Sequence, residues 1–242
     1  MGYRTSERMP LIQKAPDNSG LYKDLYSKAS SLINCTLKIK RLPKKRILYA
    51  MQNGTIDFYP GFNFSLERQL YTFYIPNGLT TGLQVISLDK SPEIKNLEDM
   101  KGRTMLIPNG SPTFGAEEKG VIVVVVENLD LPRAIEMLEQ GRADYFHYQS
   151  DTIRYYLKKY PHTQIKRHPC CSSAEPMYLG FSRFSQHYQH TENPNYKPSS
   201  AITINNDPDK LLPDSLPHKL QMALQFLDET GFIDQLEKKY YE

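Results

Sequence analysis

The sequence predicts an α/β protein built from two similar lobes, and two observations carry this prediction. Strand-like and helix-like segments alternate almost throughout the chain, which is typical of the α/β class. One pattern also occurs twice, over residues 42–59 and 131–146: Leu-Pro, a helix, Gly, and a short strand containing Asp. In both copies Pro stands at the first helical position and Gly follows the last turn. We therefore expect two small sheets flanked by helices, with a ligand between the lobes.

Composition excludes several classes of protein. The chain has 242 residues, 39% hydrophobic and 24% charged, so it is able to bury a globular core. A formal net charge of +3 is too small to indicate nucleic-acid binding. The longest apolar run, residues 121–126, is far shorter than the ~20 residues of a transmembrane helix. Without a recognisable signal peptide, we expect either a cytosolic protein or a mature form whose leader is replaced by a start Met.

The first lobe begins with a strand that runs into a polar turn carrying Arg4 and Arg8. A helix then begins near Gly20, because apolar residues recur at a spacing of three or four: Leu21, Leu25, Ala29 and Leu32. The next predicted elements are an edge strand (37–40), a helix that starts at Pro43 and ends at Asn53, a strand (56–59) that Pro60-Gly61 interrupts, a turn at Pro76-Asn77-Gly78, and a strand (83–86).

The second lobe starts at about Asp89 and shows the same alternation. Residues 121–126 are β-branched almost throughout, which is typical of a strand buried on both faces of a parallel sheet. Asp151 is expected to cap a helix over residues 152–159. Residues 183–213 are polar and rich in Pro, Asn and Ser, which predicts a long surface loop. The other predicted elements are helices (97–102, 132–140, 216–230, 232–241) and strands (103–107, 143–146, 164–166, 177–181).

Residues 54–68, with the sequence GTIDFYPGFNFSLER, mark the candidate ligand site. The predicted strand ends at Pro60-Gly61 and opens into a polar turn that carries Asn63, Ser65 and Arg68. Open α/β sheets bind their ligands at the carboxyl ends of strands. We therefore predict that Arg68 contacts an anionic ligand; the alternative is a salt bridge with Glu67 or another acid.

The ordered set of segments resembles the bacterial type II periplasmic solute-binding proteins, in the group that includes the polar amino-acid binders. The resemblance rests on residues 42–57, Ser65-Leu66-Glu67-Arg68, residues 97–104 (LEDMKGRT), Gly110-Ser111, Gly141-Arg142-Ala143-Asp144, Gly231-Phe232-Ile233-Asp234 and Lys239-Tyr240. It spans nearly the whole chain. It implies a first lobe of residues 1–86 plus 178–242 and a second lobe of residues 87–177, with hinge crossings near residues 82–88 and 171–179.

The resemblance also implies a set of ligand contacts. In the family, the arginine that matches Arg68 holds the ligand carboxylate, and the guanidinium fork suits this task because it matches two carboxylate oxygens. Asn63 and the backbone at Gly61 are expected to line the same face. Ser111 and Thr113 are expected to offer N–H groups at a helix N-terminus on the second lobe.

For the other candidate residues the sequence leaves more than one interpretation open. Amino-acid binders usually carry an acidic residue where this chain has Gln149, so the ligand is either amino-acid-like, a carboxylate without an α-amino group, or a different solute. Arg4 is either a second anion contact or a solvated loop arginine. Tyr59 and Tyr148 either stack on the ligand or belong to the core or surface. The basic residues 44–46 oppose a helix dipole and either face an anion or a transporter surface or are simply solvated.

We expect no metal and no cofactor. His187 and His190 have a metal-ligand spacing, but they lie in a polar segment without a nearby Cys or an obvious carboxylate partner. Cys170 and Cys171 are compatible with a strained vicinal disulfide, a redox switch or two small buried thiols. We favour the last two and expect no bridge to Cys35.

The sequence therefore predicts a monomeric periplasmic solute-binding protein whose leader peptide has been removed, and which captures a small, carboxylate-bearing solute. The expected partner is the permease of an ABC-type uptake transporter, or a membrane sensor, and no nucleic acid. One alternative is a ligand-sensing module of a signalling system. Another is an enzyme of the cyclohexadienyl-dehydratase-like type, which needs an acid–base group such as Asp144, Glu67, Asp151 or His147.

Overall fold

The computed structural model describes residues 1–5, 7–108, 113, 115–127, 129–161, 164–171 and 174–241. The chain forms two compact units. Unit 1 consists of Met1–Thr80 and Pro176–Tyr240, and unit 2 is formed mainly by Thr81–Glu175. Within the described ranges, no helix is both long enough and apolar enough to cross a membrane.

Strands and helices alternate along the chain, which confirms the predicted α/β class. In chain order the elements are β1 (Gly2–Arg4), α1 (Leu21–Leu32), β2 (Lys40–Leu42), α2 (Lys44–Gln52), β3 (Phe58–Phe62), α3 (Leu66–Gln69), β4 (Thr72–Thr81), β5 (Leu83–Leu88), β6 (Thr104–Pro108), β7 (Ile122–Val126), α4 (Leu131–Glu139), β8 (Tyr145–Gln149), α5 (Ser150–Lys159), β9 (Ile165–Arg167), β10 (Glu175–Ser182), β11 (His190–Glu192), β12 (Asp209–Leu211), α6 (Leu216–Glu229) and α7 (Phe232–Tyr241). Two short 3₁₀ helices cover Leu97–Met100 and Glu117–Lys119.

The repeated helix–Gly–strand pattern is present in both units. The glycines that follow α2 and α4 have the left-handed backbone expected after a helix, with φ of +73° at Gly54 and +66° at Gly141. Pro132 stands in the first turn of α4, whereas Pro43 is the N-cap residue of α2, one position earlier than predicted. The absence of a Cβ is essential at Gly54, because a Cβ there would lie 2.0 Å from the carbonyl oxygen of Phe184.

Unit 1 contains a parallel pair formed by β1 and β2 and a three-stranded sheet in which β10 lies between β3 and β4. Helix α1 buries Leu21, Leu25 and Ala29 as predicted, together with two tyrosines. Leu32 was expected on this face, but it is 43% exposed because it is the last residue of the helix.

The predicted interruption of the strand at Pro60-Gly61 is wrong. Strand β3 runs through both residues and lies at an edge of its sheet. An edge position tolerates Pro, because the missing N–H faces no neighbouring strand. The carbonyl oxygen of Pro60 accepts hydrogen bonds from the side chains of Tyr26 and Asn77. Tertiary contacts therefore hold this segment extended.

The predicted turn at residues 76–78 is also wrong, because β4 continues through it. The Asn77 side chain is completely buried, and its amide group donates to the carbonyl oxygen of Pro60 at 2.9 Å while its oxygen accepts from the N–H of Leu79 at 3.1 Å. The turn-forming residue is therefore used as a buried bridge between two strands of unit 1.

Unit 2 contains a five-stranded sheet in the order β7-β6-β8-β5-β9. The prediction that residues 121–126 are buried on both faces is wrong, since β7 is an edge strand and its Ile122 and Val125 are 54% and 56% exposed. Asp151 was expected to cap the next helix. Instead Gln149 is the N-cap residue of α5, and Asp151 lies buried in the first turn.

The segment predicted as a long surface loop, residues 183–213, contains a short antiparallel pair and a buried ionic group. Strands β11 and β12 pair with each other. Arg183 is 11% exposed and forms ion pairs with Asp207, at 2.5 Å, and with Asp209. The polar composition of this segment therefore reflects an internal network as well as solvation.

His168 is buried in unit 2 and hydrogen-bonded at both ring nitrogens. Its Nδ1 accepts from the N–H of Ile94 at 3.0 Å, and its Nε2 lies 2.8 Å from the hydroxyl of Ser87. Since Nδ1 is an acceptor, the neutral Nε2–H tautomer fits this pocket. Burial lowers the pKa of His168, and Lys166 lowers it further. Burial also lowers the pKa of His147.

We expect unit 2 to lose stability when the pH falls from 7 to 5. Unfolded histidines titrate near 6.5, whereas folded His168 and His147 titrate lower, so below pH 6.5 the unfolded state binds more protons. The loss is about 1.4 kcal/mol for each pKa unit of difference. Urea unfolding at a series of pH values measures it. His168→Gln should flatten the profile, whereas the exposed His187→Gln should leave it unchanged; identical profiles for all three proteins would contradict this explanation.

Candidate functional site

Arg68 lies in α3, the single helical turn that follows β3 in unit 1, and it is half-buried. Its guanidinium lies over the ring of Phe62 at 5.1 Å, makes a long hydrogen bond, of 3.4 Å, to the carbonyl oxygen of Asn63, and also bonds the hydroxyl of Tyr74. In the described part of the chain, no carboxylate lies within 4.0 Å of it, so the alternative of a salt bridge with Glu67 is not formed. A guanidinium has five N–H donors, and most remain available for an anion.

Tyr74 supports the loop that carries Arg68. Its hydroxyl accepts from the N–H of Ser65 at 3.1 Å and lies 3.3 Å from the carbonyl oxygen of the same residue. Burial raises the pKa of Tyr74, and hydrogen bonds from Ser65 and Arg68 oppose that rise. Sequence reasoning missed Tyr74 because residues 71–79 were assigned only a turn at Pro76-Asn77-Gly78 and no strand, whereas Tyr74 lies in β4.

Arg4 ends β1, and in the parallel pair it lies opposite Leu42, two residues before Lys44. The pKa of Lys44 is lowered by loss of hydration and then by the charges of Arg68, Arg4 and Arg8. We call Arg4, Arg8, Lys44 and Arg68 the cation cluster. Two of its members, Arg4 and Lys44, stand at the carboxyl ends of β1 and β2, where open α/β sheets bind ligands.

Tyr59 and Gly61 are close to the cation cluster but belong to the packed part of unit 1. The ring of Tyr59 is 5% exposed and stacks with those of Tyr3, at 5.3 Å, and Phe62, at 4.4 Å. Burial raises its pKa, and Arg4 and Arg8 oppose the rise. Gly61 passes so close to Tyr22 that a Cβ there would lie 2.0 Å from the tyrosine hydroxyl. Ligand contact by Tyr59, Gly61 and the exposed Asn63 stays a prediction.

The candidate residues of unit 2 lie on its five-stranded sheet and its loops. Gln149 and Tyr148 end β8, opposite Leu83 and Gln84 of β5, and both are half-buried. The ring of Tyr148 stacks on Phe146 with centroids 5.0 Å apart. Thr113 is half-buried, and Ser111 lies outside the described residues. The roles predicted for these four residues stay predictions.

The candidate acid–base residues include one with a clear structural task. Asp144 accepts a hydrogen bond from the N–H of Thr104 at 2.9 Å and forms an ion pair with Arg103 at 3.5 Å, so it joins neighbouring strands as the sequence indicated. Its counterpart in unit 1, Asp57, accepts from the hydroxyl of Ser185 at 2.7 Å. These carboxylates hold the repeated strand in place in each unit.

The cysteines and histidines give one correction. The structure has a disulfide between Cys170 and Cys171, although two buried thiols or a redox switch were favoured over it; the adjacent side chains reach each other where Cys171 adopts a φ of +62°. Cys35 is a free, exposed thiol.

The histidines with metal-ligand spacing do not converge on further ligands. His190 lies 3.2 Å from Asp209, and nowhere in the described ranges do three or more His, Cys, Asp or Glu side chains converge as a metal site would require.

Comparison with known proteins finds similarity in structure only. No protein-family model and no curated protein matches the sequence. An ancestral arginine-binding protein bound to arginine is 19% identical, with a TM-score of 0.66 over 100% of this chain and 96% of that one. The GluR0 ligand-binding core in complex with L-glutamate is 12% identical, with a TM-score of 0.71 over 100% and 96% of the two chains. The L-cystine solute receptor of Neisseria gonorrhoeae, in its unliganded open conformation, is 18% identical, with a TM-score of 0.68 over 99% and 91%.

These similarities cover the chain from end to end and define its fold. The protein has the two-lobe α/β fold of the type II periplasmic binding proteins, as the sequence predicted. At identities of 12–19% the similarity concerns the fold and carries over no ligand.

Proposed function

We propose that this protein is a periplasmic solute-binding protein that captures a small, carboxylate-bearing, amino-acid-like solute for an ABC-type uptake transporter. The observation that carries the proposal is the half-buried Arg68, whose guanidinium has no carboxylate within ion-pair distance among the described residues. A partly buried cation without a counter-ion is costly, and a ligand carboxylate would relieve that cost through two parallel N–H···O bonds.

The support around Arg68 suits a binding residue. Phe62 packs against the guanidinium at 5.1 Å, and Tyr74 holds the backbone of Ser65, three residues away. Fixing the side chain before the ligand arrives reduces the entropy that binding costs. The similar structures include an arginine-binding protein bound to arginine and a ligand-binding core in complex with L-glutamate, which is consistent with an amino-acid-like ligand.

A ligand screen tests this proposal. Purified protein is unfolded in guanidinium chloride, dialysed to remove any carried-over ligand and refolded, and its melting temperature is measured with amino acids, dicarboxylates and other organic acids. A ligand present at a hundredfold excess over its dissociation constant stabilises the native state by about 2.7 kcal/mol. We expect at least one carboxylate to raise the melting temperature and its neutral amide or alcohol analogue to fail. No response to any carboxylate would contradict the proposal.

A ligand-sensing module of a signalling system is the second candidate. The observation that favours it is the similarity to the GluR0 ligand-binding core, at a TM-score of 0.71. The two uses share the ligand site and differ in the partner. Capture experiments with membranes that contain either a reconstituted permease or a sensor, with and without ligand, distinguish them.

A further inference from the structure

The cation cluster holds more positive charge than one carboxylate needs. Arg68 alone offers a bidentate fork. Its guanidinium lies 5.1 Å from the ring of Phe62, which stacks on Tyr59, and Tyr59 stacks on Tyr3, the residue before Arg4. The charges of Arg4, Arg8 and Arg68 also lower the pKa of Lys44. The backbone places Arg4 and Lys44 together independently of any pKa. Arg4 is the last residue of β1 and lies opposite Leu42, and the N–H of Thr5 donates to the carbonyl oxygen of Leu42 at 3.2 Å, so the chain segments carrying Arg4 and Lys44 leave the same end of the parallel pair.

Two members of the cluster lack a carboxylate partner in the described residues. Within the described residues, neither Arg4 nor Lys44 has a carboxylate within 4.0 Å. Helix α2 begins at Lys44 and adds the positive end of its dipole; it has no acidic residue in its first turn and no side-chain cap. Like charges at a helix N-terminus cost free energy of folding, and a bound anion would offset that cost.

Buried polar atoms beside the cluster also lack protein partners. The hydroxyl of Tyr22 is completely buried and has no hydrogen-bond partner among the described residues. Burial raises the pKa of Tyr22, and the charge of Arg8 opposes that rise. The Nε of Arg4 is likewise buried without a partner in those residues. Unpartnered buried donors are costly in a native protein. Both atoms belong to the part of unit 1 that carries the cation cluster, and the described residues leave their hydrogen-bonding capacity unmet.

We propose that Arg4, Arg8 and Lys44 form a second anion subsite beside Arg68, so that the ligand is a small dianion with one carboxylate on Arg68 and a further anionic group on these three cations. This inference rests on the proposed function, because it takes Arg68 as the contact for the first carboxylate. The second group is a carboxylate or a phosphate monoester; both present the oxygen atoms that guanidinium and ammonium groups bind.

Calorimetric titration of the ligand-free protein with matched pairs tests this proposal. The pairs differ by the second anionic group: L-glutamate against L-glutamine, succinate against succinamate, and O-phospho-L-serine against L-serine. We expect the dianion of at least one pair to bind about tenfold or more tightly than its partner, as a charge-assisted contact predicts. The pair that responds identifies the second group as carboxylate or phosphate.

Lys44→Gln is the informative variant, because the charges of Arg68, Arg4 and Arg8 act on Lys44. Lys45→Gln is its matched control, since Lys45 lies in the same helical turn and outside the cation cluster. Lys44→Gln should weaken the dianion by about fivefold or more and the mono-anion by less than twofold, which is the range of one charged hydrogen bond. Lys45→Gln should change neither. Equal binding of both members of every pair would overturn the second subsite and leave the proposed function intact. Failure of every carboxylate, paired or not, would overturn both.

Discussion

Arg68→Gln should lower the affinity for a carboxylate ligand by about 30-fold to more than 1,000-fold, because truncating one partner of a desolvated charge pair costs roughly 2–5 kcal/mol. Glutamine keeps a polar side chain of similar length but loses the charge and the fork. The measurement is calorimetric titration with the ligand found in the screen. Most of the loss should appear as faster dissociation, since the contact forms after encounter.

The control for this variant is Arg142→Gln, an exposed arginine in unit 2. It changes the net charge by the same amount and should leave the affinity within twofold. The melting temperature of ligand-free Arg68→Gln should not fall, because Arg68 has no ion pair in the described part of the chain to lose. Unchanged affinity in Arg68→Gln would show that the ligand carboxylate, if there is one, is held elsewhere.

Arg183→Met should destabilise unit 1 by about 3–5 kcal/mol, because it leaves two largely buried carboxylates without their counter-ion. Arg183 donates to Asp207 at 2.5 Å, to the carbonyl oxygen of Gln69 at 3.0 Å, and to Asp209. Its guanidinium also packs over the ring of Phe73 at 5.4 Å, so the methyl-tipped replacement keeps part of the packing while it removes the charge. Urea unfolding followed by circular dichroism measures the change.

The matched comparison is Lys119→Met, which removes an exposed ion pair with Glu98 at 2.7 Å whose side chains are 50% and 59% exposed. It should cost less than about 1 kcal/mol. A loss below 1 kcal/mol in Arg183→Met would show that residues 183–213 are solvated in the way their composition suggests.

The sequence predicts elements well where the local signal and the tertiary context agree. The repeated Gly after a helix predicts the left-handed backbone at Gly54 and Gly141, and the periodic leucines of α1 predict its buried face. Helix α7 matches its predicted range in full. In each case the deciding forces, helix propensity and an apolar stripe, act within one or two turns of chain.

Prediction fails where a distant partner overrides the local signal. Pro60 and Asn77 are turn residues in isolation, yet each lies within a strand because each bonds to the other: the Asn77 amide reaches the Pro60 carbonyl at 2.9 Å across 17 positions of sequence. The β-branched run of β7 indicates a strand but not its place in the sheet, and β7 proves to be an edge strand.

The residues of the candidate site also differ in whether local sequence identifies them or only contacts between distant parts of the chain do. Arg68 was identifiable because it follows a strand in a polar turn and matches a family pattern. For Lys44 the sequence left an anion contact and a solvated face both open, and it gave Arg8 no role, since their relation to Arg68 depends on the fold of unit 1.

The sequence by itself determined the α/β class and the two-lobe plan, and it singled out Arg68 as the leading candidate for an anion contact, because alternation, repeated caps and residue chemistry are local properties. Only the tertiary structure decided that Pro60 and Asn77 lie in strands, that Arg183 has buried counter-ions, and that Arg4 and the segment carrying Lys44 leave the same end of a parallel pair. The physical reason is that hydrogen bonds and charges act through space, and the residues they join here lie far apart in the sequence, as Asp57 and Ser185 do at a separation of 128 positions.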